Sequence, residues 1–189
     1  MAFVHGKNAC VLVGSYDLSA YFNDVSWSQE LSADETTAFG SGDKTYITGI
    51  GDGKISASGL FDGTAVVGSD VVLEAALSAA SDSVLLTAPS GNTLGARVKL
   101  AAGLETTYEV SEKVTDVVET KAEFQANGGV DGGIVLAAAR SVATATTTNE
   151  TSQDNSASSA NGGVAQLHVT ANATSSTTIV KVQHSSNNS

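Results

Sequence analysis

At 189 residues the chain is long enough for one domain with a real core, or one domain and a small appendage. Its 20 acidic residues against 9 basic ones leave a formal net charge of −11, which excludes a Lys/Arg footprint for gripping nucleic-acid phosphates. Hydrophobic residues reach 41%, but Ala and Val supply most of them and aromatics are only 5%, so the core is modest and subunit contacts are expected to add to its stability.

The first expected strand is Ala9 to Val13, which carries the single cysteine, Cys10, read as a buried structural thiol. Gly14-Ser15 turns the chain, and Asp17 to Tyr21 reads as one helical turn. Asp24 to Leu31 alternates, with Val25, Trp27, Gln29 and Leu31 on one face and Asp24, Ser26, Ser28 and Glu30 on the other. That period of two marks a half-buried strand with Trp27 as a core anchor. A long polar stretch from Ser32 to Gly49 reads as a loop, and Lys54 to Leu60 as the next strand, closed by Phe61-Asp62-Gly63. Ser69-Asp70 offers a helix start, and Val72, Leu73, Ala76, Leu77 and Ala80 form an apolar stripe that predicts a helix from Asp70 to Ala80. Strands are then expected at Val84 to Ala88, Ala96 to Ala101, Thr106 to Val110 and Lys113 to Ala126.

At Asn127-Gly128-Gly129 the composition shifts. From Ser141 onward only Glu150, Asp154 and Lys181 are charged. The runs 164–169 and 178–184 keep strand patterning. The chain thus divides into a first domain, 1–133, and a C-terminal β-type extension, 134–189, with an incomplete Ig-like or sandwich domain as one form of it.

Little here points to chemistry. His5, His168 and His184 lack metal-ligand spacing with each other or with Cys10. Gly49 to Gly53 and Gly128 to Gly133 lack the Lys-Ser/Thr of a phosphate loop, and the acids from Asp43 to Asp52 lack calcium-loop spacing. No catalytic, metal or cofactor site is expected, and so no enzyme. The N-terminus lacks a basic region followed by an apolar stretch, and no segment has the apolar length of a membrane span.

The order of motifs carries a resemblance. Gly14 to Phe22 (Gly-Ser-Tyr-Asp-Leu-Ser-Ala-Tyr-Phe), Val25 to Ser28, Thr36 to Gly40, Lys44 to Ile50 and Ile55 to Gly63 together resemble the major tail protein, or tail tube protein, of long-tailed bacteriophages. The resemblance covers roughly the first 130 residues. It implies a mainly β fold, two packed antiparallel sheets of sandwich or barrel-like form with one flanking helix. It further implies hexameric rings that stack into a hollow tube in the virion, assembled in the host cytoplasm. Such a tube encloses a tape measure protein and later conducts DNA, without tight binding to either and without a membrane partner.

Two sets of residues follow as expectations. Thr36, Thr37, Phe39, Gly40, Lys44, Tyr46 and Ile47 form a self-assembly loop that packs on a neighbouring subunit or ring. Asp24, Glu30, Glu105, Glu109, Asp116, Glu119 and Glu123 are candidate acids facing the lumen, where like charge keeps DNA from sticking. A reading from another class stays beside this one: the Ser/Thr/Asn-rich C-terminal part fits a surface-exposed carbohydrate-binding or adhesion module.

Overall fold

A computed structural model describes residues 4–138, 163–171 and 180–182. The class is as read from the sequence: mainly β, antiparallel, with one α-helix among the described residues. In chain order, a 3₁₀ turn at Gly6–Asn8 leads to β1 (Cys10–Val13), β2 (Tyr16–Asp17), β3 (Phe22–Glu35) and β4 (Tyr46–Leu60). Then come α1 (Ser69–Leu77), β5 (Ser83–Ala88), β6 (Arg97–Ser111), β7 (Glu119–Ala126) and β8 (Asp131–Ile134).

The hydrogen-bonded order is β2-β1-β5-β6-β7-β4-β3, with β8 also on β6. The two expected sheets are therefore linked into one ladder through β6, which joins two segments expected as separate strands. Its first half pairs with β5 and β8, and its second half with β7. The two half-sheets share one core. Val13, Leu85 and Ala101 come from the first, Ile55, Ala122 and Phe124 from the second, and Leu18, Val72 and Leu73 close it. Apolar burial of this kind is the main favourable term holding the layers together.

Local chemistry explains the connections. Gly14, at φ +57, opens the two-residue turn between β1 and β2, which glycine allows without strain. The helical turn expected at Asp17 to Tyr21 is a hydrogen-bonded turn that starts one residue later, because Asp17, in β2, pairs with Leu12; the Tyr21 amide donates to Leu18 O at 3.0 Å. Helix α1 is shorter than predicted. It ends at Leu77, and Leu77 and Ala80 are exposed. Gly68 stands at its N-cap, while Ser69 Oγ accepts from the Asp62 amide and donates to Leu60 O, both at 3.0 Å.

Three further expectations change. Lys113 to Val118 is a turn rather than the start of a strand. The division after Gly133 falls inside β8, and Val135 just beyond it is buried against Cys10, Leu12, Val98 and Leu100. Residues 164–169 join no ladder. They lie on the first half-sheet, with Gln166 Nε2 donating to Ala101 O at 3.0 Å and His168 Nδ1 2.7 Å from Gly14 O. Of the run 178–184, only 180–182 falls among the described residues, and His184 lies outside them.

Candidate assembly surfaces

The stretch expected as a loop from Ser32 to Gly49 is mostly a β-hairpin arm. β3 and β4 pair up to Glu35↔Tyr46, leaving only Thr36 to Thr45 as the tip. β7 covers β4 only from Lys54 to Leu60. Residues 28–35 and 46–53 therefore form a two-stranded ribbon, about 26 Å long at the usual rise per residue. Beyond Leu31, small and polar residues stand where one face is normally apolar, so the alternation fades there.

The expected assembly residues all lie on this arm. The Thr36 amide donates to Thr45 O at 2.8 Å, the Thr36 and Thr45 hydroxyls meet at 3.1 Å, and Thr37 Oγ1 accepts from the Thr45 amide. Lys44 Nζ donates to Glu35 at 2.9 Å, and this bond, with one from Thr37, holds the Glu35 carboxyl below its ordinary range. Gly40, at φ +90, makes the bend that throws Phe39 outward, where it is fully exposed. Leu31, Tyr46, Ile47 and Ile50 are also exposed along the arm.

The candidate lumen acids separate into three groups. Pairing places Asp24, Ser58, Lys121 and Glu109 side by side on one face of β3-β4-β7-β6. Glu30 and Asp52 pair further along that face, and Glu119 and Glu123 lie on it two and four residues apart from Lys121 and each other. Strand alternation sends all of these away from the core face of Ile55, Ala57 and Phe124. Lys121 donates to Glu123 at 2.8 Å and thereby lowers that carboxyl, with Lys54 3.9 Å away. Gln125 Nε2 donates to Gly53 O at 2.9 Å and to Asp52. The face thus carries six carboxylates against two lysines.

Asp116 sits instead in the β6–β7 turn. Glu105 is turned to the core: it is 6% exposed, and neither carboxylate oxygen has a hydrogen-bond partner. The cause is a bulge between Glu105 and Thr107. The extra residue, Thr106, bonds to Glu123 O, and Glu105 and Tyr108 come to lie on one face, opposite Phe124 and Ala122. Tyr108 donates to Asp70 on α1 at 2.5 Å, and burial, then that bond, raises the phenol. Burial pushes Glu105 up to about 8.

Trp27 lies on the predicted face but is 43% exposed, so it is not a core anchor. β3 is the last strand of the ladder and overhangs the opposite half-sheet, from which Lys99 Nζ stands 3.8 Å from the indole centroid. Cys10 is buried, and burial raises its thiol. Among the described residues no group of three or more His, Cys, Asp or Glu side chains is placed to hold a metal, and no helix is long and apolar enough to cross a membrane.

Sequence reasoning missed the opposite end of the molecule. Phe61, Val66 and Val67 after the end of β4, and Val114 and Val117 in the β6–β7 turn, are exposed, and the Phe61 amide donates to Val118 O at 3.0 Å. Val66 holds φ +77, a strained value for a β-branched residue. The loop beneath it is clamped: Asp62 Oδ1 accepts from the Thr64 amide at 2.9 Å and hydroxyl at 2.6 Å, and the Gly68 amide donates to Thr64 O at 2.8 Å.

Architecture of this kind defines a class. No protein-family model and no curated protein matches the chain. Solved structures do. The SPP1 tail tube superimposes with a TM-score of 0.57 at 10% identity, over 71% of this chain and 81% of that one. The tail of an empty gene transfer agent particle, a C6-symmetric assembly, gives 0.54 at 11% identity, over 68% and 98%. The sheath-tube complex of an extracellular contractile injection system, PVC, gives 0.55 at 16% identity, over 70% and 93%. The chain has the tail-tube fold.

Proposed function

We propose that this chain is a structural subunit that self-assembles into a virion tail tube. Six copies close a ring, rings stack through the hairpin arm, and the acidic face of β3-β4-β7-β6 lines a lumen that holds a tape measure protein and passes DNA. One observation carries this reading. Asp24, Glu109, Glu119 and Glu123 share a single polar face whose reverse is the core, and Glu30 continues that face onto the hairpin arm. A sheet with one wet acidic face suits the wall of a channel through which a polyanion slides without being held. The likeness to tube structures supports the same role, as does β3, whose outer edge pairs with nothing in the described subunit. No catalytic role enters this reading.

Negative-stain microscopy of the purified chain tests it, with rings or hollow tubes expected. A second measurement addresses the lumen. Changing Asp24, Glu30 and Glu109 to Lys should leave tubes that retain DNA at low salt. A chain that stays monomeric at every concentration and salt would overturn the assembly reading. Normal DNA passage through the triple variant would overturn the lumen assignment.

A further inference from the structure

The chain carries the pentapeptide Ala-Asn-Gly-Gly-Val twice, at 126–130 and 160–164, and these hold its only two Asn-Gly steps. The first copy makes the turn between β7, which ends at Ala126, and β8, which begins at Asp131. Asn127 and Gly128 are both exposed. Gly128 stands at φ +95, with nothing within 4 Å of where a Cβ would sit. Among the described residues its amide donates to no backbone carbonyl. Asparagine is a thermolabile side chain, and a glycine after it leaves the next backbone nitrogen unshielded and free to turn toward it.

We propose that Asn127 is a site of spontaneous deamidation, and that the reaction loosens the turn from the root of the hairpin arm. The Gly128 backbone nitrogen attacks Asn127 Cγ. A C–N bond forms and closes a cyclic imide, the Cγ–Nδ2 bond breaks, and the Gly128 amide proton leaves with the side-chain nitrogen as ammonia. Water then opens the imide. Attack at Cγ gives aspartate. Attack at the backbone carbonyl gives isoaspartate, whose main chain runs through Cβ. No oxidant or reductant takes part.

The native turn depends on the amide that is lost. Asn127 Nδ2 donates to Asp82 Oδ2 at 3.1 Å, which ties the turn to the residue before β5. Either product sets a carboxylate against Asp82 where a donor stood, and like charges this close repel. The turn also presses on the arm where β7 ceases to cover it. Gly129 Cα and Val130 Cγ2 each lie 3.1 Å from where a Gly53 Cβ would sit, and Gln29 Nε2 lies 3.2 Å from where a Gly129 Cβ would sit. Val130 is buried. On the β7 side the Asn127 amide is anchored to Ala102 O at 2.7 Å. The extra main-chain atom of isoaspartate therefore pushes Gly129 and Val130 against β3 and β4, where no room is left. The reaction needs only the folded chain and is independent of assembly.

Incubating the full chain at mildly alkaline pH tests the site. Trypsin then releases residues 122–140 and 141–181 as separate peptides, so Asn127 and Asn161 are read apart. Fragment-ion mass spectrometry is expected to show an amide becoming a carboxyl at Asn127, and an isoaspartate methyltransferase should label the same peptide. Asn127→Gln, which keeps an amide but needs a larger ring, should abolish both signals. An unmodified Asn127, whether or not Asn161 converts, would overturn the site. The loosening has its own measurement. Asn127→Asp should unfold at lower urea than Asn127→Gln, and adding Asp82→Asn should restore the midpoint. Hydrogen exchange at residues 46–53 should be faster in the aged protein than in the fresh one. Equal midpoints for the two single variants, or unchanged exchange after conversion, would overturn the loosening.

Discussion

Glu105 is a carboxyl with no partner beneath helix α1, and its removal has a calculable consequence. Leu73 and Phe124 are buried in the same core, Tyr108 and Asp70 lie beside it with Glu74 near, and α1 offers no basic residue to its last turn. Its carboxyl rises from 4.5 to about 8 because burial disfavours the charge. Between those values the folded chain holds a proton that the unfolded chain has released. Stability therefore falls as pH rises through this window, and the penalty is absent below 4.5. At about 1.4 kcal/mol per pH unit, flattening as the folded carboxyl itself ionises, the loss is roughly 3 kcal/mol by pH 7 and roughly 4 kcal/mol by pH 8. Glu105→Gln cannot ionise. Urea unfolding of parent and variant at pH 5, 6, 7 and 8 should show near-equal stability at pH 5. The variant's advantage should then grow by about 3 kcal/mol up to pH 7. The lowered carboxyls of Glu35, Asp62 and Glu123 act in the opposite sense, losing stability only as pH falls below the carboxylate range. Parallel curves for the two proteins across pH 5 to 8 would refute the reasoning.

Three other outcomes are expected. Leu73→Asp places an unpaired charge at a fully buried position of α1, at a cost of several kcal/mol, and should give insoluble protein; soluble tubes would show the helix face to be misassigned. Gly59→Ala adds a Cβ 2.1 Å from Tyr21 O and 2.6 Å from Phe22 Cα. Both are backbone atoms, so β3 must shift, and chemical denaturation should show a loss of roughly 1–3 kcal/mol; an unchanged midpoint would mean that the two strands do not approach so closely. Truncation after Ala138 keeps β8 and buried Val135 and should preserve assembly, whereas truncation after Gly133 should destabilise the fold by cutting β8. Loss of tubes from a folded 1–138 chain would make the C-terminal part an assembly element.

Much of the fold is legible in the sequence wherever one face of a strand is wet. The alternation from Asp24 to Leu31 separates the two faces of β3, but on the apolar face only Val25 packs against the core; Trp27, Gln29 and Leu31 are exposed, so the half-buried reading holds only at the start of the run. Glu105 escaped this logic. A single inserted residue at Thr106 reverses the parity, so Glu105 and Glu109, an even number of residues apart, point to opposite faces. Trp27 shows the second limit. Its face could be read, but its exposure depends on the edge position of β3, a fact of long-range pairing. The turn at Lys113 to Val118 shows the third. Val114, Asp116 and Val118 alternate like a strand, yet Val114 is fully exposed, so the pattern there records a surface rather than a core. The ribbon of residues 28–35 and 46–53 is not legible, since Gly49, Gly51 and Gly53 replace the apolar residues that usually mark a strand.

The outer edge of β3 raises a final question of symmetry. Fourteen residues form the last strand of the ladder, with no proline or lysine to blunt it. Such an edge ordinarily invites pairing with another chain. The edge does carry Asp24, Glu30, Asp34 and Glu35 and no cation. Two copies of β3 paired with each other would set acids against acids, and like charges across a ladder destabilise it. Self-pairing is therefore discouraged, while pairing with a different edge of a neighbouring copy is not. A contact between unlike surfaces is heterologous, and heterologous contacts close into rings or continue as filaments instead of stopping at dimers. The acids of β3 then act twice in the proposed tube, by keeping DNA off the wall and by selecting the contact that builds it. Sedimentation of dilute protein at low salt should show monomers and rings. A dominant two-fold dimer joined through β3, persisting without added salt, would contradict this account of the edge.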